Sequence, residues 1–402
     1  METKVMKAVI QAYKNEMLQW FEQGDVEAEN PIKHGTQELW YSLYLEKKRL
    51  DNHRCKLQYK TYECVRRDGL IEGKHDLYQY HRDGKYTVCE ANQMTQVEKL
   101  YIRDEVVLNR EKKKRELIYY IIRSQNQNGQ YICPNCGAEQ ELDKLLDGCD
   151  YCKSKFDISV YEDKVSSVTS SQGNFDDREK DGFKTYSTVT GAVCIGCGIL
   201  AAPITCGISL VWAVYGAHVL SKARKSRTYN QAYESWQNHV LIKQKIKEYD
   251  PDFSEEEFIG ALDCKLKSIH YASNMQELTA FVKCDVTPYI NDYQDIISCE
   301  VGKIACKNFW VDEHYQYVEL HRQIDVKKDN GRRLLNGTGF VAVTLAKKRS
   351  AMLKNEVSLY RCKCCGSSIS LVEGGKCGYC GNEMDYAAYD WIIVGYRHVN
   401  VL

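Results

Sequence analysis

Two groups of four cysteines, separated by more than half of a 402-residue chain, constrain what it can fold into more than any other feature. Each group is a pair of Cys-x-x-Cys knuckles. The first is Cys133-Pro-Asn-Cys136 with Cys149-Asp-Tyr-Cys152, and the second is Cys362-Lys-Cys-Cys365 with Cys377-Gly-Tyr-Cys380. A two-residue spacer lets one tight turn aim two thiolates at a single ion, and zinc takes four such ligands in a tetrahedron. Gly137 and Gly366 follow the first knuckle of each group, where the turn favours a residue without a Cβ. The knuckles lie 12 residues apart in the first group and 11 in the second, a hairpin-sized gap. The pattern predicts two zinc ribbons, spanning 131–155 and 360–383.

The surroundings of the two groups match in register. Tyr131 and Tyr360 each lie two residues before the first cysteine. After the last cysteine, Phe156-Asp157 answers Met384-Asp385, and Tyr161-Glu162 answers Tyr389-Asp390. Upstream, Val106 to Leu108 with Lys112 to Arg115 parallels Val341 to Val343 with Lys347 to Arg349. A repeat of this length points to duplication of a whole domain.

Nineteen cysteines is an odd number, and Met1 to Gly24 reads as a charged amphipathic helix, not a signal peptide. Both facts favour metal in a reducing compartment over a disulfide framework. With 55 basic and 55 acidic residues the net charge is zero, which argues against a nucleic-acid partner.

Val189 to Leu220 carries no charged residue. As one helix this stretch would reach about 48 Å, beyond the roughly 30 Å hydrocarbon core of a bilayer. Its Gly, Ala, Ser and Cys content allows close helix approach in lipid, and with it oligomerisation. Pro203 offers a turn, so a single span and a re-entrant hairpin both remain open. Lys222, Arg224, Lys225 and Arg227 follow directly, which places Ser221 onward on the cytoplasmic side. The bland alternative is a buried helical hairpin in a soluble fold. Cys194, Cys197 and Cys206 in this stretch read as small packing residues.

The remainder reads as α+β. The N-terminal unit, 1–165, opens with a helical stripe of Met6, Ile10, Tyr13 and Met17. A second helix is expected from Thr36 to Leu50, then strands at 56–65, 76–81 and 86–90, with Asp83-Gly84 as a turn. Residues 166–188 read as a linker and 221–249 as an amphipathic connecting helix bearing Tyr229, Tyr233, Trp236 and Val240. The C-terminal unit, 250–402, opens with Asp250-Pro-Asp-Phe253-Ser254. Ser254 with Glu257 forms a capping box, and Phe253 with Phe258 a hydrophobic staple. Phe258, Leu262, Leu266 and Ile269 make a helical stripe, and a shorter helix is capped by Ser273 or Asn274. A strand meander follows, through 303–310, 315–326, 340–345, 356–360 and 389–396, with Asp329-Asn330-Gly331 as a hairpin turn.

This opening, the two helices and the meander resemble the C-terminal domain of the mitochondrial import subunit Tim forty-four and its bacterial relatives. With the ribbons and the apolar stretch added, the chain is similar to bacterial zinc-ribbon domain-containing transport proteins. The resemblance covers Asp250 to Tyr396. It implies a cone-like sheet-and-helix fold of the nuclear-transport-factor-two-like type, a bacterial cell-membrane location and a part in protein transport.

A metal held by four protein thiolates has no open position for water or substrate, so both sites are read as structural. Cys364, inside the second knuckle, reads as a spare thiol. There is no phosphate-cradling glycine loop, no Ser-His-Asp spacing and no His-Glu-x-x-His. His270, His314 and His321, with Asp312 and Glu313, are read as a polar sheet face. The expected function is non-enzymatic: a membrane-associated scaffold or tether for protein partners. Its rivals are a nucleic-acid reader, using the ribbons with Lys112 to Arg115 and Lys347 to Arg349, and a pocket enzyme of the cone fold.

Overall fold

The computed structural model describes residues 2–23, 31–63, 66–68, 71–73, 77–83, 86–123, 130–133, 136–141, 149–153, 163–170, 189–190, 192–200, 203, 209–225, 241–251, 253–349, 360–362, 364–365, 368–369, 376–377, 379–383, 385–388 and 390–400. The turn glycines Gly84 and Gly366, the stripe from Tyr229 to Val240, the strand expected at 356–359, and Cys206 lie outside them. Antiparallel sheets and helices build a mixed α+β fold, as the sequence predicts. Residues 1–170 and 242–402 make one compact unit, and residues 171–241 make a second.

In the first unit, α1 (Glu2–Gln23) buries Met6, Ile10 and Tyr13. Thr36 caps α2 (Gln37–Asn52), its hydroxyl accepting from the Leu39 amide. The following strands are β1 (Lys56–Glu63), β2 (Arg66–Asp68), β3 (Ile71–Gly73), β4 (Leu77–Asp83), β5 (Tyr86–Arg103) and β6 (Val106–Arg123). β7 (Gln130–Ile132) and β8 (Glu139–Glu141) form the ribbon hairpin, and β9 (Lys164–Ser170) returns beside β6. The sheet runs β1-β5-β6-β9, with β4 also paired to β5. β9 takes up Ser166 to Ser170, which composition alone assigns to a linker; pairing with Leu117 to Ile122 overrides that local polarity.

The C-terminal portion begins with α5 (residues 241–249), followed by α6 (Glu255–Tyr271) and α7 (Thr287–Asp292). The Ser254 hydroxyl accepts from the Glu257 amide at 3.2 Å, and the Phe253 and Phe258 rings sit 5.4 Å apart, so the serine N-cap of the expected box and the staple form. Asn274 caps only a short 3-10 turn, Met275–Leu278. β10 (Ile296–Val311), β11 (Tyr315–Asp329) and β12 (Leu334–Lys348) follow. After the ribbon hairpin of β13 (Tyr360–Arg361) and β14 (Ser368–Ile369) comes β15 (Ile392–Asn400). The sheet runs β10-β11-β12-β15. Gly331, at φ +85, turns the chain between β11 and β12.

Both sheets therefore place a cysteine hairpin on the connection into an edge strand, β9 or β15. Each of these edges is bridged at one residue. The Val165 amide donates to the His34 carbonyl, and the Ile393 amide to that of Phe281. Such a bridge interrupts the open row of backbone groups that invites aggregation.

The N- and C-terminal portions share their cores. Tyr41 and Leu45 of α2 pack in the cluster of Leu266, Ile269 and Val343, while Cys264, Ile297 and Leu334 join that of Ile10, Trp20 and Tyr101. Arg49, only 2 % exposed, crosses between them. Its guanidinium donates to the carbonyls of Tyr271, Ala272, Tyr293 and Gln294, where α6 and α7 end. Those carbonyls have no helical partner of their own, so one rigid fork satisfies several orphans. Around it, Arg103 and His53 both bind Asp329, Lys48 binds Glu277, and Lys99 binds Glu300.

In the second unit, helical backbone covers residues 189–190 and 192–200, here called α3, and α4 spans Leu210–Lys225. Among the described residues no helix is long and apolar enough to cross a membrane.

Candidate metal centres

Tertiary structure brings all eight predicted ligands into two quartets. Cys133, Cys136, Cys149 and Cys152 form one, and Cys362, Cys365, Cys377 and Cys380 the other, with the sulfurs of each within 4.8 Å of one another. The geometry starts in the knuckle backbone. In the first, the Gly137 amide donates to the Cys133 carbonyl and the Cys133 amide to Ala138, a turn closed with Gly137 at φ +75. The second knuckle repeats it, with the Lys153 amide on the Cys149 carbonyl and Lys153 at φ +56. In the C-terminal quartet the same turn falls at Gly381, φ +71, whose amide donates to Cys377. A β-carbon strains this left-handed region, so glycine suits it and Lys153 is the exception.

The sulfurs pair in the same way in both quartets. Cys133 meets Cys152 at 3.6 Å and Cys136 meets Cys149 at 3.7 Å; Cys362 meets Cys380 at 3.5 Å and Cys365 meets Cys377 at 3.6 Å. A disulfide needs about 2.05 Å, so none of these is one. Zinc–thiolate bonds of about 2.3 Å would set tetrahedral sulfurs roughly 3.8 Å apart, close to what is found. The donor set fits a soft divalent metal, and each quartet could hold one ion. Cys133, Cys149, Cys362 and Cys377 are buried, whereas Cys136 and Cys380 are exposed, so each site sits at the surface on an anchored base. Cys364 is exposed and outside the quartet, and its amide donates to the Cys362 sulfur. That contact places Cys364 in the turn that presents Cys362, without adding a fifth ligand. Of the cysteines in the apolar stretch, Cys194 is half-buried and Cys197 exposed.

The histidines and acids singled out in sequence do not converge. His270 is fully buried on α6, its Nδ1 donating to the Leu266 carbonyl and its ring stacked on Tyr293 at 4.4 Å. Burial lowers its pKa to about 4, and His398 and Lys328 push the same way. His321 lies along β11, its pKa lowered by burial and by Lys307 and Arg397. Asp312 closes the β10–β11 turn by accepting from the His314 and Tyr315 amides and the Tyr317 hydroxyl, bonds that hold its carboxyl below the usual range. Glu313 and His314 do line a groove of about 720 Å³ with Glu248, Tyr249, Tyr315, Lys348 and Arg349. Arg349 stacks on the Tyr249 ring at 5.3 Å and donates to the Asp312 carbonyl. Sequence reasoning missed this groove because Tyr249 and Arg349 are 100 residues apart. No family model, curated protein or solved structure matches the chain.

Proposed function

We propose that the chain is a zinc-ribbon scaffold held at a membrane, acting by presenting protein-binding surfaces and without catalysis. The observation that carries this reading is the pair of four-thiolate quartets, each on the connection into an edge strand. Four protein donors close a metal's coordination shell, so an ion there contributes folding energy and leaves no position for substrate. On this reading zinc fixes the edge strand of each sheet.

The halves are copies of one unit in this proposal. Supporting that are the matching strand orders, the ribbon at the same connection, and the same pairing of sulfurs. The resemblance to the Tim forty-four C-terminal domain supports a role in protein transport at the bacterial cell membrane. The exposed apolar side chains Leu200, Val211, Trp212 and Val214 support lipid contact.

Metal analysis and fractionation of the expressed chain test this together. Two zinc ions per chain in a pellet that needs detergent is the expected outcome. Cys149→Ser should lower the ratio to one, and Cys364→Ser should leave it at two. A metal-free chain, or one wholly in the aqueous fraction, would sink the proposal.

A further inference from the structure

Residues 1–170 and 242–402 belong to one compact unit, and this restricts how the insert between them can meet a bilayer. The two stretches share buried clusters and are tied by Arg49. A single crossing would put about 30 Å of hydrocarbon between surfaces that touch. The chain must leave and return on one side.

The insert is built for that return. The Ser209 hydroxyl donates to the Gly198 carbonyl at 2.8 Å, and a β-carbon on Gly198 would come within 2.7 Å of the Ala213 nitrogen. One continuous helix would hold Gly198 and Ser209 about 16 Å apart, so the chain has reversed direction between them. Glycine is required where the arms meet. At roughly 1.5 Å per residue, the 16 residues of α4 reach about 24 Å, short of a full crossing. The reversal is also prepared for a dry setting. The Gly198 carbonyl accepts from the Ser209 hydroxyl, a bond made within the insert itself. Pro203 has no amide hydrogen to satisfy. An unpaired backbone group in hydrocarbon is costly, so both features suit lipid. The outer faces are apolar and open, with Leu200 79 %, Val214 71 % and Trp212 62 % exposed. Lys222, Arg224, Lys225 and Arg227 lie where α4 ends and beyond it, matched to anionic headgroups.

We infer that α3 and α4 form a re-entrant hairpin that enters the bilayer and returns on one side, tip in the hydrocarbon, leaving both cysteine quartets on the basic-flank side. The inference rests on the membrane-associated reading above. Lipid occupies the apolar faces.

The test adds full-length protein, tagged at both termini, to preformed vesicles of equimolar phosphatidylcholine and phosphatidylglycerol. Flotation reports association, external protease reports sidedness, and brominated acyl chains report depth through the Trp212 fluorescence that Trp212→Phe removes. The expected result is flotation, cleavage of both tags, and stronger quenching by bromines deep in the chain than by those near the headgroup. Flotation with one tag protected would overturn the hairpin and leave membrane association standing. Quenching only by shallow bromines would overturn the buried tip, placing the hairpin flat at the interface. Absence of flotation would remove both readings, and a stable dimer without lipid would assign the apolar faces to a second copy.

Discussion

At the scale of single residues, Arg49 and His270 show how burial converts chemistry into constraint. The Arg49 guanidinium is spent on four helix-end carbonyls. Burial lowers its pKa, so the charge is tolerated because the fork geometry satisfies nearly every donor. Arg49→Lys keeps the charge but loses the fork, and Arg49→Met strands the carbonyls. Either should cost about 3 kcal/mol or more in urea unfolding, on the order of two lost charged hydrogen bonds. His270 has one nitrogen committed to Leu266, and its Nε2 has no partner among the described residues. Its folded pKa of about 4 lies below the ordinary 6.5, so the unfolded chain takes up the proton first. Stability from this residue is complete above about pH 6.5 and lost as pH falls toward 4, on the order of 3 kcal/mol in all. Urea midpoints measured across that window should flatten in His270→Phe.

At the scale of elements, the edge strands are where metal should be felt. β9 and β15 each follow a long connection, and a metal clip within it would shorten the loop that must close before the strand can pair. β15 has further anchors: buried Lys265 on α6 binds Asp390 at 2.9 Å and the Trp391 carbonyl at 2.7 Å. Stripping metal with a chelator should therefore raise hydrogen exchange in Ile392–Asn400 more than in Tyr315–Asp329, which is paired on both sides. Equal change in both strands would mean that the ribbon does not hold the edge. The N-cap at Ser254 and the stripe on α6 were legible in sequence because they depend on neighbours three or four residues away. α7 was not, since its start at Val286 has no side-chain cap and it spans only six residues.

At the scale of the whole molecule, the two portions flanking the insert fold as one. Their clusters exchange residues, and ion pairs such as Arg103–Asp329 and Lys99–Glu300 join strands more than 200 residues apart. Expressed alone, residues 1–170 should expose the α2 surface that α6 covers and fail to unfold cooperatively. Co-expressed with residues 242–402, the fragment should co-purify and regain a single transition by calorimetry. Two fragments that each melt independently would refute shared folding.

Local rules determined the two cysteine quartets, the knuckle turn at Gly137, the helix caps and the alternation of β11, because each is fixed by residues close in the chain or by a spacing suited to one ion. Only the tertiary structure decided that the portions flanking the apolar stretch interpenetrate, that Ser166 to Ser170 is strand, and that Tyr249 meets Arg349. Those outcomes depend on burial shared between distant segments, and no window of sequence holds both partners.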